Sequence, residues 1–185
     1  MKRNRLGRAG FTLVEILIVM AMVAALSTWY VYQSSSDKGQ AYTLRAQGEL
    51  ITMSNAIKLY VQENNNYPAD VNRGLPPGIE KFIGSGELNT AWPTGPWGAP
   101  SVYDYENWDG GDTIQVSIRF CNAGDSATCK ANAAKWLKGV VSPTILNSWD
   151  SFSSVYFCIK GNCRSHSDRP ANHPGYKIDS NTIFK

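Results

Sequence analysis

The sequence predicts an α+β fold in which one long N-terminal α-helix, apolar in its first half, packs against a small antiparallel β-sheet head. Three observations predict it. Residues 11–32 are uncharged except for Glu15, and about 20 apolar residues suffice for a helix to cross a bilayer. Leu50, Met53, Ile57, Tyr60 and Val61 then follow steps of three and four, the spacing of one face of an amphipathic helix. Beyond residue 100, β-branched and aromatic residues alternate with polar ones, most clearly at Ile114, Val116, Ile118 and Phe120, as in half-buried strands.

Residues 1–10 carry Lys2, Arg3, Arg5 and Arg8 and no acid. Such a leader stays in the cytoplasm while the apolar segment enters the membrane, giving an N-in, C-out orientation. A carboxylate in that segment costs roughly 2.5 to 3.5 kcal/mol on insertion scales, so Glu15 requires a partner. A secretory signal peptide would be cut after the apolar run, near Ala24-Ala25-Leu26-Ser27, but the acid inside the run argues against it. The alternative cut lies before the run, between Gly10 and Phe11.

Arg8-Ala9-Gly10-Phe11-Thr12-Leu13-Val14-Glu15 resembles the prepilin peptidase site of type IV pilins and of the pseudopilins of type II secretion systems. The resemblance implies a pilin-like fold, cleavage after Gly10 on the cytoplasmic face, and methylation of Phe11 as the new N-terminal residue. The apolar segment then stays attached as the assembly helix. It also implies that Glu15 of one subunit pairs with the Phe11 amine of a neighbour and sets the axial register of a filament. An α-amine ordinarily titrates near 8 and is a cation at neutral pH. Breaking a buried pair strands one charge at a cost of about 3 to 5 kcal/mol, which makes register errors costly. The competing reading has Glu15 bind its own subunit's amine or snorkel to a headgroup.

Many type IV pilins carry a proline in this helix, whereas the first proline here is Pro68, so nothing upstream removes a helix hydrogen bond. Any loosening falls on Ser34-Ser35-Ser36-Asp37-Lys38-Gly39, where serine and glycine weaken a helix. The helix should end at Glu63-Asn64-Asn65-Asn66-Tyr67-Pro68. The expected organisation is therefore a cleaved leader at 1–10, a transmembrane and assembly helix at 11–32, its amphipathic continuation at 33–66 and a head at 67–185.

In the head, Asn66-Tyr67-Pro68, Gly95-Pro96-Trp97-Gly98-Ala99-Pro100 and Val102-Tyr103-Asp104-Tyr105 resemble the major pseudopilins, in which a Pro-Trp-Gly turn leads into the first strand. Pro96 fixes one dihedral, Gly98 permits an unusual one, and Trp97 can cover the helix face. Strands are expected at 101–105, 113–121 and 154–159, with a hairpin connection at 109–112, a short helix at 128–137 exposing Lys130, Lys135 and Lys138, and a hairpin turn at 159–162.

Cys121, Cys129, Cys158 and Cys163 all lie on the side that the orientation places outside the cytoplasm. An even count there predicts two disulfides with three possible connectivities. The pairs Cys121–Cys129 and Cys158–Cys163 close short loops and are preferred, against a four-cysteine zinc site whose spacing fits poorly. Asp104, Glu106, Asp109 and Asp112 cluster in a Gly-rich stretch; some related pseudopilins bind calcium in a head loop, so Asp104, Asp109 and Asp112 are weak calcium candidates beside the simpler reading of a solvated turn. His166 and His173 sit in polar loops and read as surface residues. No other cofactor is implied.

No nucleophile motif or phosphate loop is present, so an enzyme is not expected. The chain has 18 Lys+Arg against 15 Asp+Glu; four of the basic residues are in the leader, which leaves 14 against 15. Net charge therefore gives no support to direct DNA binding, and Lys130, Lys135, Lys138, Lys160 and Arg164 are only a hint of a basic patch. The first functional reading is a structural subunit of a type IV pilus. The alternative is a pseudopilin of a type II secretion system, and a remote third is a single-pass anchored binding module or enzyme. The resemblance implies as partners further copies in a helical homopolymer, prepilin peptidase, an inner-membrane assembly platform and minor pilins. It implies residence in the inner membrane before assembly, then in an extracellular pilus or a periplasmic pseudopilus.

Overall fold

A computed structural model describes residues 12–83, 94–165 and 174–178, with only the backbone of 31–37. The chain divides into two compact units, Met1–Asp37 and Lys38–Lys185. Helix α1 spans Leu13–Asn64. The stretch expected to loosen, Ser34 to Gly39, is helical backbone throughout, and the division between the units falls inside it.

In the first unit, Leu13–Tyr30 has a mean hydropathy of 1.9, and none of it is buried. Its polar side chains close onto their own helix. Ser27 Oγ donates to Val23 O at 2.7 Å and Thr28 Oγ1 to Ala24 O at 2.9 Å, so both hydroxyls are satisfied without water.

In the second unit, α1 buries Ala46, Leu50, Met53, Ala56 and Ile57, of which Ala46, Leu50, Met53 and Ile57 join one apolar core with the sheet. The strands are β1 Val102–Trp108, β2 Thr113–Arg119, β3 Val155–Lys160 and β4 Tyr176–Ile178, hydrogen-bonded in the order β1-β2-β3-β4. β1 and β3 flank β2 antiparallel, whereas β4 runs parallel to β3. The sheet is therefore mixed, which corrects the expectation of a wholly antiparallel one. Residues 159–162 likewise do not form a hairpin, because the strand that joins β3 next is its parallel neighbour. A three-residue strand such as β4 is too short to show a period-2 pattern, which is why the sequence does not announce it.

β2 is buried along its whole length. Its Ile114, Val116 and Ile118 face the apolar core with Tyr103 and Tyr105 of β1. Its Gln115, Ser117 and Arg119 share the opposite face with Asp104 and Glu106, as the register Asp104↔Ser117 and Glu106↔Gln115 requires. The turn at Asp109–Gly111 joins β1 to β2 where a hairpin connection was expected.

Helix α2, Ser126–Trp136, is capped by Asp125, whose carboxylate accepts from Thr128 N. Helix α3, Pro143–Asn147, starts at a Ser142 cap with proline in its first turn. The Pro-Trp-Gly segment is a tight turn in which Gly98 N donates to Gly95 O at 2.8 Å, and Gly98 takes φ +75°, a conformation that favours glycine. Trp97 is thereby placed edge-on to Phe120 at 5.1 Å and to Tyr42 of α1 at 6.4 Å, and it stacks on Trp136.

Candidate functional site

The start of α1 is built by Thr12 and Glu15. Thr12 N and Thr12 Oγ1 donate to Glu15 Oε2 at 2.7 and 2.8 Å, and Glu15 N donates back to Thr12 Oγ1 at 3.3 Å. This is a reciprocal capping box, and its Thr-x-x-Glu signature is local and visible in the sequence. Two orphan donors of the helix end are satisfied, and the acid of the apolar segment is held by its own chain. Both bonds to the carboxylate fall on Oε2; among the described residues Oε1 accepts none. Gly10 and Phe11, the expected cleavage and methylation positions, lie outside the described residues.

A second polar cluster lies within the head. Arg119 bridges two carboxylates, with Nε 3.3 Å from Asp104 Oδ2 and Nη2 2.8 Å from Glu106 Oε1, and all three side chains are buried. Gln115 Nε2 donates to Glu106 Oε2 at 2.6 Å and Ser117 Oγ to Glu106 Oε1 at 3.1 Å. From outside the sheet, Arg73 N donates to Asp104 Oδ1 at 2.8 Å. Gln115 also clasps the chain beyond Cys163, giving a hydrogen bond to Arg164 O at 2.7 Å and taking one from Arg164 N at 3.1 Å. Burial pushes Glu106 up to about 8, against the pull of Arg119 and with the help of the Asp104 charge. Burial also raises Asp104, again opposed by Arg119. A cavity of about 170 Å³ opens beside them, lined in part by Asp70, Asn72 and Trp108.

The calcium candidates are engaged with other groups. Asp104 is committed to Arg119 and Arg73. Asp109 accepts from Thr113 Oγ1 at 2.8 Å and pairs with Arg164 at 3.2 Å, and Asp112 is exposed beside Lys160. The three carboxylates do not converge, and among the described residues no group of three or more His, Cys, Asp or Glu side chains is gathered for a metal. The cysteines form two disulfides. Cys121–Cys129, with Cα atoms 4.9 Å apart, ties the end of β2 to α2, and Cys158–Cys163, at 5.6 Å, closes the turn after β3. No thiolate set for zinc remains among them. His166 and His173 lie outside the described residues.

The family described as the prokaryotic N-terminal methylation motif matches residues 5–29. Type II secretion system core protein G of Pseudomonas aeruginosa is 30% identical over 109 residues, 54% of this chain and 75% of that protein. The chain belongs to the type IV pilin and pseudopilin family. Type II secretion system core protein G of Escherichia coli K12 is 29% identical over 98 residues, 48% of this chain and 66% of that protein. The protein of the same name from Aeromonas hydrophila is 27% identical over 101 residues, 50% and 70% of the two chains. No solved structure matches. These relatives bear the name of a secretion component, so the pseudopilin alternative displaces the pilus subunit as the better reading.

Proposed function

We propose that this chain is a structural, non-enzymatic subunit of a type II secretion pseudopilus. Prepilin peptidase removes residues 1–10, Phe11 becomes the methylated N terminus, and the subunit waits in the inner membrane with its head outside the cytoplasm. An assembly platform then draws it into a helical polymer with further copies and with minor pilins. The observation that carries this reading is Glu15, the one acid of an exposed apolar helical stretch, held among the described residues through one oxygen. An amine from a neighbouring subunit fits the other oxygen, and a pair formed only at the correct axial step sets the register.

The test is Glu15→Leu in the native host. The variant is expected to be cut at Gly10 and inserted normally, as read by the N-terminal peptide mass, yet to form no filaments and to block export of secreted proteins. Filaments at the wild-type level would overturn the register role. Surface pili with undisturbed secretion would return the chain to the pilus reading.

A further inference from the structure

The basic side chains of the head fall into two groups. Lys160 donates to Gly111 O at 2.7 Å and Arg164 pairs with Asp109, both at the β1–β2 turn. Lys130, Lys135 and Lys138 lie on or just past α2, which follows the opposite end of β2, about 20 Å away for a seven-residue strand. The end of α2 rests on α1. A Cβ added at Gly39 would stand 3.2 Å from Trp136 O and 3.8 Å from Lys138 O. Lys38, Lys135 and Lys138 around this contact are all exposed.

The two segments that meet there, 38–48 and 126–149, contain no acid at all, while they carry Lys38, Arg45, Lys130, Lys135 and Lys138. Asp37, Glu49, Asp125 and Asp150 flank them, and Glu49 pairs with Arg45 at 2.7 Å, which leaves the lysines as the basic groups of the contact. The contact is also tethered, because Gly39 follows Tyr30, the last residue of the apolar window, by nine positions. Chain length alone keeps it within about 30 Å of that residue.

We propose that this lysine-bearing face is a docking surface for anionic phospholipid, on which the head of an unassembled subunit rests. The proposal builds on the reading of α1 as a membrane anchor. Each lysine near an anionic surface contributes about a fivefold preference, and the attraction fades beyond about 8 to 10 Å at ordinary salt. A free protein with so few charges binds weakly, but a tether this short holds the face at an effective concentration on the order of millimolar. Assembly then has to lift the head off the bilayer as it draws the helix into the polymer.

The test is hydrogen exchange of the full processed chain in bilayer discs. With about 30% phosphatidylglycerol, amides of 126–138 should exchange about fivefold or more slowly than in pure phosphatidylcholine. In about 1 M salt, where the screening length is about 3 Å, the difference should vanish. The Lys38→Gln, Lys135→Gln, Lys138→Gln triple variant should lose it at ordinary salt. Exchange that ignores lipid charge, or a lipid effect that survives in the triple variant, overturns the proposal. So does protection that follows protein concentration instead of lipid, which would name a second copy as the occupant. Amides of 13–30 separate the two failures: if they stay protected, only the docking surface falls; if they exchange freely, the anchor falls with it.

Discussion

Glu106 of β1 and Arg119 of β2 meet at 2.8 Å on a face of the sheet where neither side chain is more than 8% exposed. Arg119 also holds Asp104, so a single guanidinium serves two buried acids. Taking such charges out of water costs several kcal/mol each before pairing returns part of it, so the cluster is poised between ionised and neutral forms.

The first prediction follows from the direction of that balance. Glu106 ordinarily titrates at 4.5 and is pushed up to about 8 in the fold, chiefly by burial. Below about 4.5 both folded and unfolded chains are protonated there, and stability does not depend on this group. Between about 4.5 and 8 the unfolded chain loses the proton while the folded one keeps it, so stability falls as pH rises. Above that range the loss levels off. Asp104 shifts in the same direction. Thermal melting of the full chain in detergent should therefore show a decline from pH 5 to 8, and Glu106→Gln should flatten it. Wild-type stability that climbs over this range would sink the idea.

Arg119→Met removes the shared partner and leaves Asp104, with the ionised fraction of Glu106, buried without a cation. The expected loss is about 3 to 5 kcal/mol at neutral pH, measured by denaturant unfolding. Adding Asp104→Asn and Glu106→Gln to the same chain should recover much of it, because neutral amides need no counter-charge. A triple variant no better than Arg119→Met would indicate that Arg119 acts by packing.

Much of the architecture was legible because it rests on long or chemically distinct signals. The apolar run with Glu15, the helix end before Pro68 and the alternation of Ile114, Val116 and Ile118 each carry their meaning locally. The buried cluster was not legible for a physical reason. Asp104, Glu106, Gln115, Ser117 and Arg119 alternate with apolar residues as a solvated sheet face does. What covers them comes from distant chain: Arg73 N bonds Asp104, and Arg164 closes on Gln115. Of the calcium candidates, Asp104 and Asp109 are thus partners of arginines, and Asp112 lies beside Lys160. The Thr12 cap is the opposite case, since its Thr-x-x-Glu pattern is local and was available.

Each disulfide closes a short loop, with sequence separations of 8 and 5. Loop-closure entropy for such lengths corresponds to about 2 to 3 kcal/mol per bridge. Replacing both Cys121 and Cys129 by serine should lower unfolding stability by that amount and free the end of β2 from α2. The Cys158→Ser, Cys163→Ser variant should cost about 2 kcal/mol and loosen the turn that leads to Arg164, where faster amide exchange would report it. Intact mass should rise by four hydrogens on reduction of the wild type, and no metal should be lost.

Thr12 and Glu15 supply the last prediction. Glu15 Oε2 receives both the Thr12 hydroxyl and the Thr12 backbone N–H, while Glu15 N returns a bond to the same hydroxyl. Thr12→Val keeps the shape and the backbone donor but deletes the hydroxyl, so two of the three bonds disappear. Helix capping should weaken by about 0.5 to 2 kcal/mol, and the carboxylate should be less well satisfied in an apolar surrounding where no water replaces the lost donor. Thr12→Ser retains the hydroxyl and should behave like the wild type. If Glu15 also needs a neighbour's amine, Thr12→Val should reduce filament yield less than Glu15→Leu does, because the acid remains available for the intersubunit bond. Equal loss in the two variants would mean that presenting the carboxylate through Thr12 is as necessary as the charge itself.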